Sequence, residues 1–161
     1  MQEHRKKILE YSFWLLGRRE VSEKMLRASI RKKFPDAGLD VVDDVVDFLI
    51  KNKYLSDDRF AEGFIRYGKR NKWGPNKIRL KLREKGISIL GGSKFAELID
   101  AVEYEELLEH CRGKFKIEMI NLSELDFATR NKLKARIFRY LAGKGFNSKV
   151  GAEILKLLLP N

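Results

Sequence analysis

The chain of 161 residues holds one cysteine, two histidines and three prolines. A single thiol, Cys111, excludes an internal disulfide framework, and with His4 and His110 it leaves too few soft ligands for a zinc site. No apolar run approaches the roughly 18 residues of a membrane span. The start, Met1-Gln2-Glu3-His4-Arg5-Lys6-Lys7, lacks the apolar stretch of a secretory signal. A soluble, cytoplasmic protein of a reducing compartment is expected. Acid is scarce as well: 23 Asp plus Glu stand against 34 Lys plus Arg, a net charge of +11. Hydrophobic content of 43% is enough for a core and excludes wholesale disorder. The excess of base points to an anionic partner, nucleic acid or an assembly that contains it.

The charge is uneven along the chain. Residues 63–86 hold nine basic side chains and one acid, Glu84, and residues 130–149 hold seven basic side chains and no acid. Between them, residues 96–113 carry one basic and six acidic residues, a net of −5. Two basic blocks split by an acidic one suggest a surface with a preferred orientation towards a polyanion, although solvated Lys/Arg faces are common on any basic protein.

Apolar spacing is helical almost throughout. Ile8, Tyr11, Ser12, Leu15 and Leu16 form one stripe that stops at Gly17. Ser22 is a good N-cap for a helix bearing Leu26, Ile30 and Phe34, closed by Pro35. Asp40, with Asp43 three residues on, is expected to start a helix of paired apolar residues, Val41/Val42, Val45/Val46 and Leu49/Ile50; that four-residue period outweighs the strand propensity of valine. Ser56 caps a segment whose Asp57 and Asp58 suit the positive helix end, with Phe60, Phe64 and Tyr67 expected to face inward. Gly74-Pro75 opens the next helix and Gly86 closes it, yet Lys77-Ile78-Arg79-Leu80-Lys81-Leu82-Arg83 alternates like a strand.

An internal repeat decides that conflict. Leu26–Ile30–Lys33, Ile78–Leu82–Lys85 and Ile137–Leu141–Lys144 share one spacing, and each ends at a chain reversal. Downstream, Leu82 to Leu98 and Leu141 to Leu157 are equally spaced, with an amphipathic stretch upstream of every copy. The expected fold is all-α: an elongated right-to-left stack of three tandem three-helix repeats, helix-turn-helix-like units at residues 1–56, 57–102 and 103–161.

At this point the residues also resemble a family. Leu55-Ser56-Asp57-Asp58-Arg59-Phe60-Ala61, Gly74-Pro75-Asn76-Lys77-Ile78-Arg79 and Leu82-Arg83-Glu84-Lys85-Gly86-Ile87 are similar to the central signature of the RecX family, and Lys144-Gly145-Phe146 to its C-terminal one. Residues 116–129 do not match. The resemblance covers the whole chain and implies a non-enzymatic regulator of homologous recombination and the SOS response, one that lies in the groove of the RecA filament on single-stranded DNA and inhibits RecA ATPase, strand exchange and coprotease activity. It implies no cofactor. A monomer is expected, and bare DNA is the further candidate partner. The alternative class is a stand-alone DNA-binding protein of helix-turn-helix-like units. No acid–base pair or activated nucleophile speaks for an enzyme.

The candidate binding residues lie in the two basic blocks. Arg66, Lys69, Arg70 and Lys72 precede Trp73; Lys77, Lys81 and Lys85 form one i+4 stripe and Arg79 with Arg83 another; the later block offers Arg136, Arg139, Lys144 and Lys149. Like charges at that spacing weaken an isolated helix, which a complex can offset, but a plain soluble face is the competing account. Trp73 either stacks on a base, anchors a protein contact or plugs the seam between repeats. Asp57, Asp58, Arg59, Phe60, Gly74, Pro75 and Gly86 are expected to be structural, with Arg59 tying the second unit's helices together. Asp43, Asp44 and Asp47 read as a solvated face, Cys111 as a core thiol and Gly91-Gly92-Ser93-Lys94 as a hinge.

Overall fold

The structure, a computed structural model, describes residues 2–160. Among the described residues there are nine α-helices and no strand: α1 (Gln2–Leu16), α2 (Glu23–Lys33), α3 (Leu39–Lys51), α4 (Asp57–Arg70), α5 (Pro75–Glu84), α6 (Lys94–Asp100), α7 (Tyr104–Phe115), α8 (Phe127–Lys144) and α9 (Ser148–Leu158). A 3-10 turn at Ile117–Met119 lies in the stretch without family-like residues.

The repeated spacing proves to be the spacing of the core. Leu26, Ile30, Ile78, Leu82, Ile137 and Leu141 are each at most 1% exposed. A strand would have put Ile78, Leu80 and Leu82 on one face; instead Leu80 is 46% exposed, as the turn of a helix requires. The lysines that end the three copies lay their ammonium groups over rings: Lys33 over Tyr11, Lys85 over Phe64 and Lys144 over Tyr140, at 5.3, 5.7 and 5.7 Å.

Four expectations need correction. The downstream equivalents of Leu49 are Ile99 and Leu158, at 1% and 3% exposure, whereas Leu98 and Leu157 stand 47% and 46% exposed. Tyr67 is 47% exposed, and the inward face of α4 is Phe60, Ala61 and Ile65. Gly68 explains the shift, because a Cβ there would come within 2.9 Å of Ile78 Cγ1, so α5 approaches over the glycine and not over Tyr67. The cap of α3 is Gly38, with Asp40 in the first turn. Finally, Ser93 of the glycine-rich segment caps α6 by accepting from Ala96 N at 3.2 Å. Ser22 and Ser56 cap as expected, accepting from Met25 N (3.3 Å) and Arg59 N (3.2 Å).

The chain divides into two compact units, one of residues up to 64 with 81–89 and the other of 65–80 with 90 onward, so α4 and α5 contribute to both. The first is built on Ile8, Leu26, Ile30, Val45, Val46 and Leu49, where α1, α2 and α3 meet. Two of the four carboxylates of α3 are paired: Asp43 with Arg27 and Asp44 with Arg5, both at 2.5 Å. The second unit is built on Leu107, Cys111, Ile137, Leu141 and Ile154, where α7, α8 and α9 meet. Asp126 and Asn147 cap α8 and α9. Among the described residues no helix is long and apolar enough to cross a membrane, and no group of His, Cys, Asp or Glu is arranged to hold a metal.

Cys111 is fully buried, and burial pushes its thiol up to about 11. The thiolate is the reactive form, so at pH 8 Cys111 should react with a disulfide reagent at least about tenfold more slowly in the native protein than in urea. Equal rates would contradict its placement.

Candidate partner-binding surface

The family-like motifs are staples of the fold. In the first unit Asp57 Oδ1 accepts from Glu23 N at 2.7 Å, at the start of α2. Burial raises the pKa of Asp57 above the ordinary carboxylate value, and the bond from Glu23 N opposes that rise. Ser22 Oγ donates to Lys85 O at 2.6 Å and Lys24 Nζ to Glu84 O at 3.1 Å. Gly86, at φ 88, lies so close that a Cβ would sit 2.7 Å from that of Lys24. Arg59 does not bridge the helices of its own repeat. It donates to Glu20 (2.8 Å) and to the carbonyls of Lys53 and Tyr54 (3.0 Å each), bracing the turn before α4. Asp58 is exposed in the first turn of α4, where the helix dipole acts on it favourably.

In the second unit the two remaining motifs meet. Gly74 N donates to Lys144 O at 2.7 Å and Asn76 N to Gly145 O at 3.1 Å, joining the start of α5 to the end of α8. Both contacts need glycine: a Cβ on Gly74 would lie 2.5 Å from Gly145 backbone atoms, and one on Gly145, at φ 92, would lie 2.5 Å from Lys77. Lys144 Nζ adds a bond to Asn71 O at 3.2 Å. Burial, then the nearby Lys77 and Lys114, lowers its pKa below the usual lysine value.

Beside this joint lies a cationic groove. Arg66, Lys69 and Arg70 project from the end of α4, and Lys72 follows in the turn, at φ 54 with Trp73 N closing back on Gly68 O. With Glu103 and Glu106 they line a groove of about 450 Å³. Lys72 Nζ pairs with Glu106 at 2.5 Å, and Lys69 Nζ donates to Ala101 O at 2.9 Å. Arg66 and Arg70 are exposed and make no ion pair among the described residues. The half-buried Trp73 stands edge to face with Tyr67 at 5.5 Å, carries Lys77 Nζ 5.2 Å from its ring centre, and lines a small cavity of about 40 Å³ with Ile99, Leu107 and Phe146. Trp73 is thus packed between the second and third predicted repeats.

The other candidates are dispersed. Arg79 is clamped by both oxygens of Asp100, at 2.6 and 2.7 Å, and the hydrogen bonds to Arg79 hold the Asp100 carboxyl below its usual range. Arg79 and Lys149 line a separate hollow of about 300 Å³ with Asn76 and Tyr104. Lys81, Arg83 and Lys85 belong to the first unit; Lys81 pairs with Glu84 at 2.9 Å and Arg83 is exposed without an ion pair among the described residues. Arg136 rests over Phe115 at 5.1 Å, and Arg139 donates to Ala135 O of its own helix at 3.4 Å. The sequence reading missed Glu103, Glu106 and Asp100 as parts of this surface. Their signal was the acidic interval itself, which was read as a separator and not as a counterpart.

Fold and surface first define a class, an all-α protein of small helical domains whose prominent groove is cationic. A family model described as the second three-helix domain of RecX matches residues 56–88. Over 144 residues the chain is 30% identical to the regulatory protein RecX of Actinobacillus pleuropneumoniae serotype 5b, covering 86% of this chain and 83% of that protein. Over 155 residues it is 24% identical to the regulatory protein RecX of Haemophilus ducreyi, covering 92% and 91%. The crystal structure of RecX from Lactobacillus salivarius matches the fold with a TM-score of 0.70 at 21% identity, over 98% of each chain. A further crystal structure of a regulatory protein RecX gives 0.68 at 20% identity, over 94% of this chain and 71% of that one. The chain belongs to the RecX family of regulatory proteins.

Proposed function

We propose that this protein binds the RecA filament on single-stranded DNA and inhibits RecA ATPase, strand exchange and coprotease activity, and so modulates homologous recombination and the SOS response. The observation that carries the proposal is the cationic groove at the turn between α4 and α5, whose four cations all lie inside the stretch matched by the family's second domain. On this reading the basic side chains would meet protein carboxylates and DNA phosphates in the filament groove. Exposed guanidinium groups with unspent hydrogen-bond donors suit both, since they pair bidentately with either oxyanion. Family membership supplies the regulatory role, and the lack of an acid–base or metal constellation in the sequence fits a protein that acts by binding.

Arg66, Lys69, Arg70 and Lys72 are the proposed centre of contact. Arg83, Arg136, Arg139 and Lys149 are further exposed charges; Lys77, Arg79, Lys81, Lys85 and Lys144 contribute from positions where each already has an intramolecular partner. The reading includes three repeats at residues 1–56, 57–102 and 103–161, acting as a monomer in the cytoplasm.

Titrating this protein into a RecA reaction on single-stranded DNA should suppress ATP hydrolysis at micromolar concentration. Undiminished hydrolysis would sink the proposal. Tight binding to bare duplex with a steep salt slope, unaffected by RecA, would replace it with the stand-alone DNA-binding reading.

A further inference from the structure

We propose that Glu103 and Glu106 are specificity-determining counter-charges, placed in the cationic groove so as to hold down its affinity for a bare nucleic-acid strand. The inference rests on reading that groove as the polyanion-facing surface.

Six charged side chains line the groove, four cations and these two carboxylates. Glu106 is tied to Lys72 at 2.5 Å, which takes one of the four cations out of play. The same contact holds the Glu106 carboxyl below its usual range, so it is charged at neutral pH. Glu103 precedes α7 at the position where a side chain often caps a helix, but it makes no capping bond. Its charge still suits the positive end of α7, but with no capping bond to hold it the side chain lines the groove. Together the two carboxylates reduce a cradle of four positive charges to a net of two.

A strand of phosphates entering this groove meets Arg66 and Arg70 on favourable terms. To go further it must displace Glu106 from Lys72, or set phosphates beside the Glu103 and Glu106 side chains. A mixed surface suffers no such penalty, because protein donors can be placed opposite Glu103 and Glu106 while phosphates or carboxylates engage the arginines. Specificity of this kind is a difference of affinities, obtained by an unfavourable contact with the wrong partner. Asp100 treats Arg79 in the same way a short distance along the chain, with two bonds of 2.6 and 2.7 Å.

The test is fluorescence anisotropy of a labelled oligo(dT) titrated with the protein across a salt series. The paired variant Glu103→Gln/Glu106→Gln should bind about fivefold tighter than wild type at fixed salt, with a salt slope steeper by about 0.7 for each cation released. Glu105→Gln/Glu109→Gln on the same helix is the control. It removes the same formal charge outside the groove lining, where Glu109 pairs with Arg112 at 2.6 Å, and should change affinity by less than about twofold. No tightening in the groove pair, or equal tightening in the control, would overturn the inference. Glu103→Gln alone, which can keep its hydrogen bond to Glu106 through the amide and breaks neither the Lys72–Glu106 pair nor a capping bond, gives the same readout if the double variant loses its native circular dichroism. RecA is absent from this measurement, so its failure is distinct from a failure of filament inhibition.

Discussion

Gly74→Val is expected to destabilise the protein by about 3 kcal/mol. At this chain length that lowers the thermal midpoint by about 6–12 °C. The size of the effect follows from what the new atoms would meet. A Cβ on Gly74 would come within 2.5 Å of the carbonyl carbon and oxygen of Gly145 and of Phe146 N. All three are backbone atoms, so no side chain can rotate away and the helix ends must separate. Separation costs the bond from Gly74 N to Lys144 O at 2.7 Å, and that from Asn76 N to Gly145 O at 3.1 Å. Gly143→Ala is the matched control, because nothing lies within 4 Å of a Cβ there and the position is inside α8. It should be neutral or slightly stabilising. Thermal unfolding followed by far-ultraviolet circular dichroism compares the two, and a Gly74→Val midpoint within a degree of wild type would show that the joint does not hold the unit together.

Arg66→Glu/Arg70→Glu is expected to raise the concentration needed for half-inhibition of RecA ATPase by at least about thirtyfold, since like charges set against each other at an interface cost several kcal/mol. These two arginines are the right choice because they are exposed and make no ion pair among the described residues, so the fold loses no charged contact. Charge reversal at Arg79 would be a poorer test. It would set a second carboxylate against Asp100 where two hydrogen bonds now stand, and lost inhibition would be mixed with lost stability. The double variant should keep a wild-type thermal midpoint. Unchanged inhibition by a natively folded variant would move the contact surface elsewhere, with Arg83 and the arginines of α8 next in line.

The helical character of the chain was legible wherever two copies of a pattern could be compared. Taken alone, the alternation from Lys77 to Arg83 would have read as a strand; set beside Leu26–Ile30 and Ile137–Leu141, it had to be helix, and Leu26, Ile30, Ile78, Leu82, Ile137 and Leu141 are all buried. Spacing failed where two adjacent apolar residues offered the same period. Nothing in the sequence distinguishes Leu98 from Ile99 or Leu157 from Leu158, and only packing chose the second of each pair. Tyr67 was misplaced for a related reason, since the influence of Gly68 on the approach of Ile78 depends on a neighbour that periodicity does not see. Charge counting located the basic block but lost the acidic side of the groove. A tally along the chain cannot tell that Glu103 and Glu106 share one stripe of α7 and its approach while Glu105 and Glu109 share another. That distinction needs the helical register as well as the count.

Gly74-Pro75 and Lys144-Gly145-Phe146 are far apart in sequence, yet they are two sides of one contact. The residues by which a chain of this kind is recognised therefore record an architectural constraint, and inheritance can preserve them whatever the chain binds. The arginines of the groove are under no such geometric compulsion. Two relatives can carry the same pair of glycine motifs, stand on the same scaffold, and still have drifted apart in how tightly, and how selectively, they engage a filament.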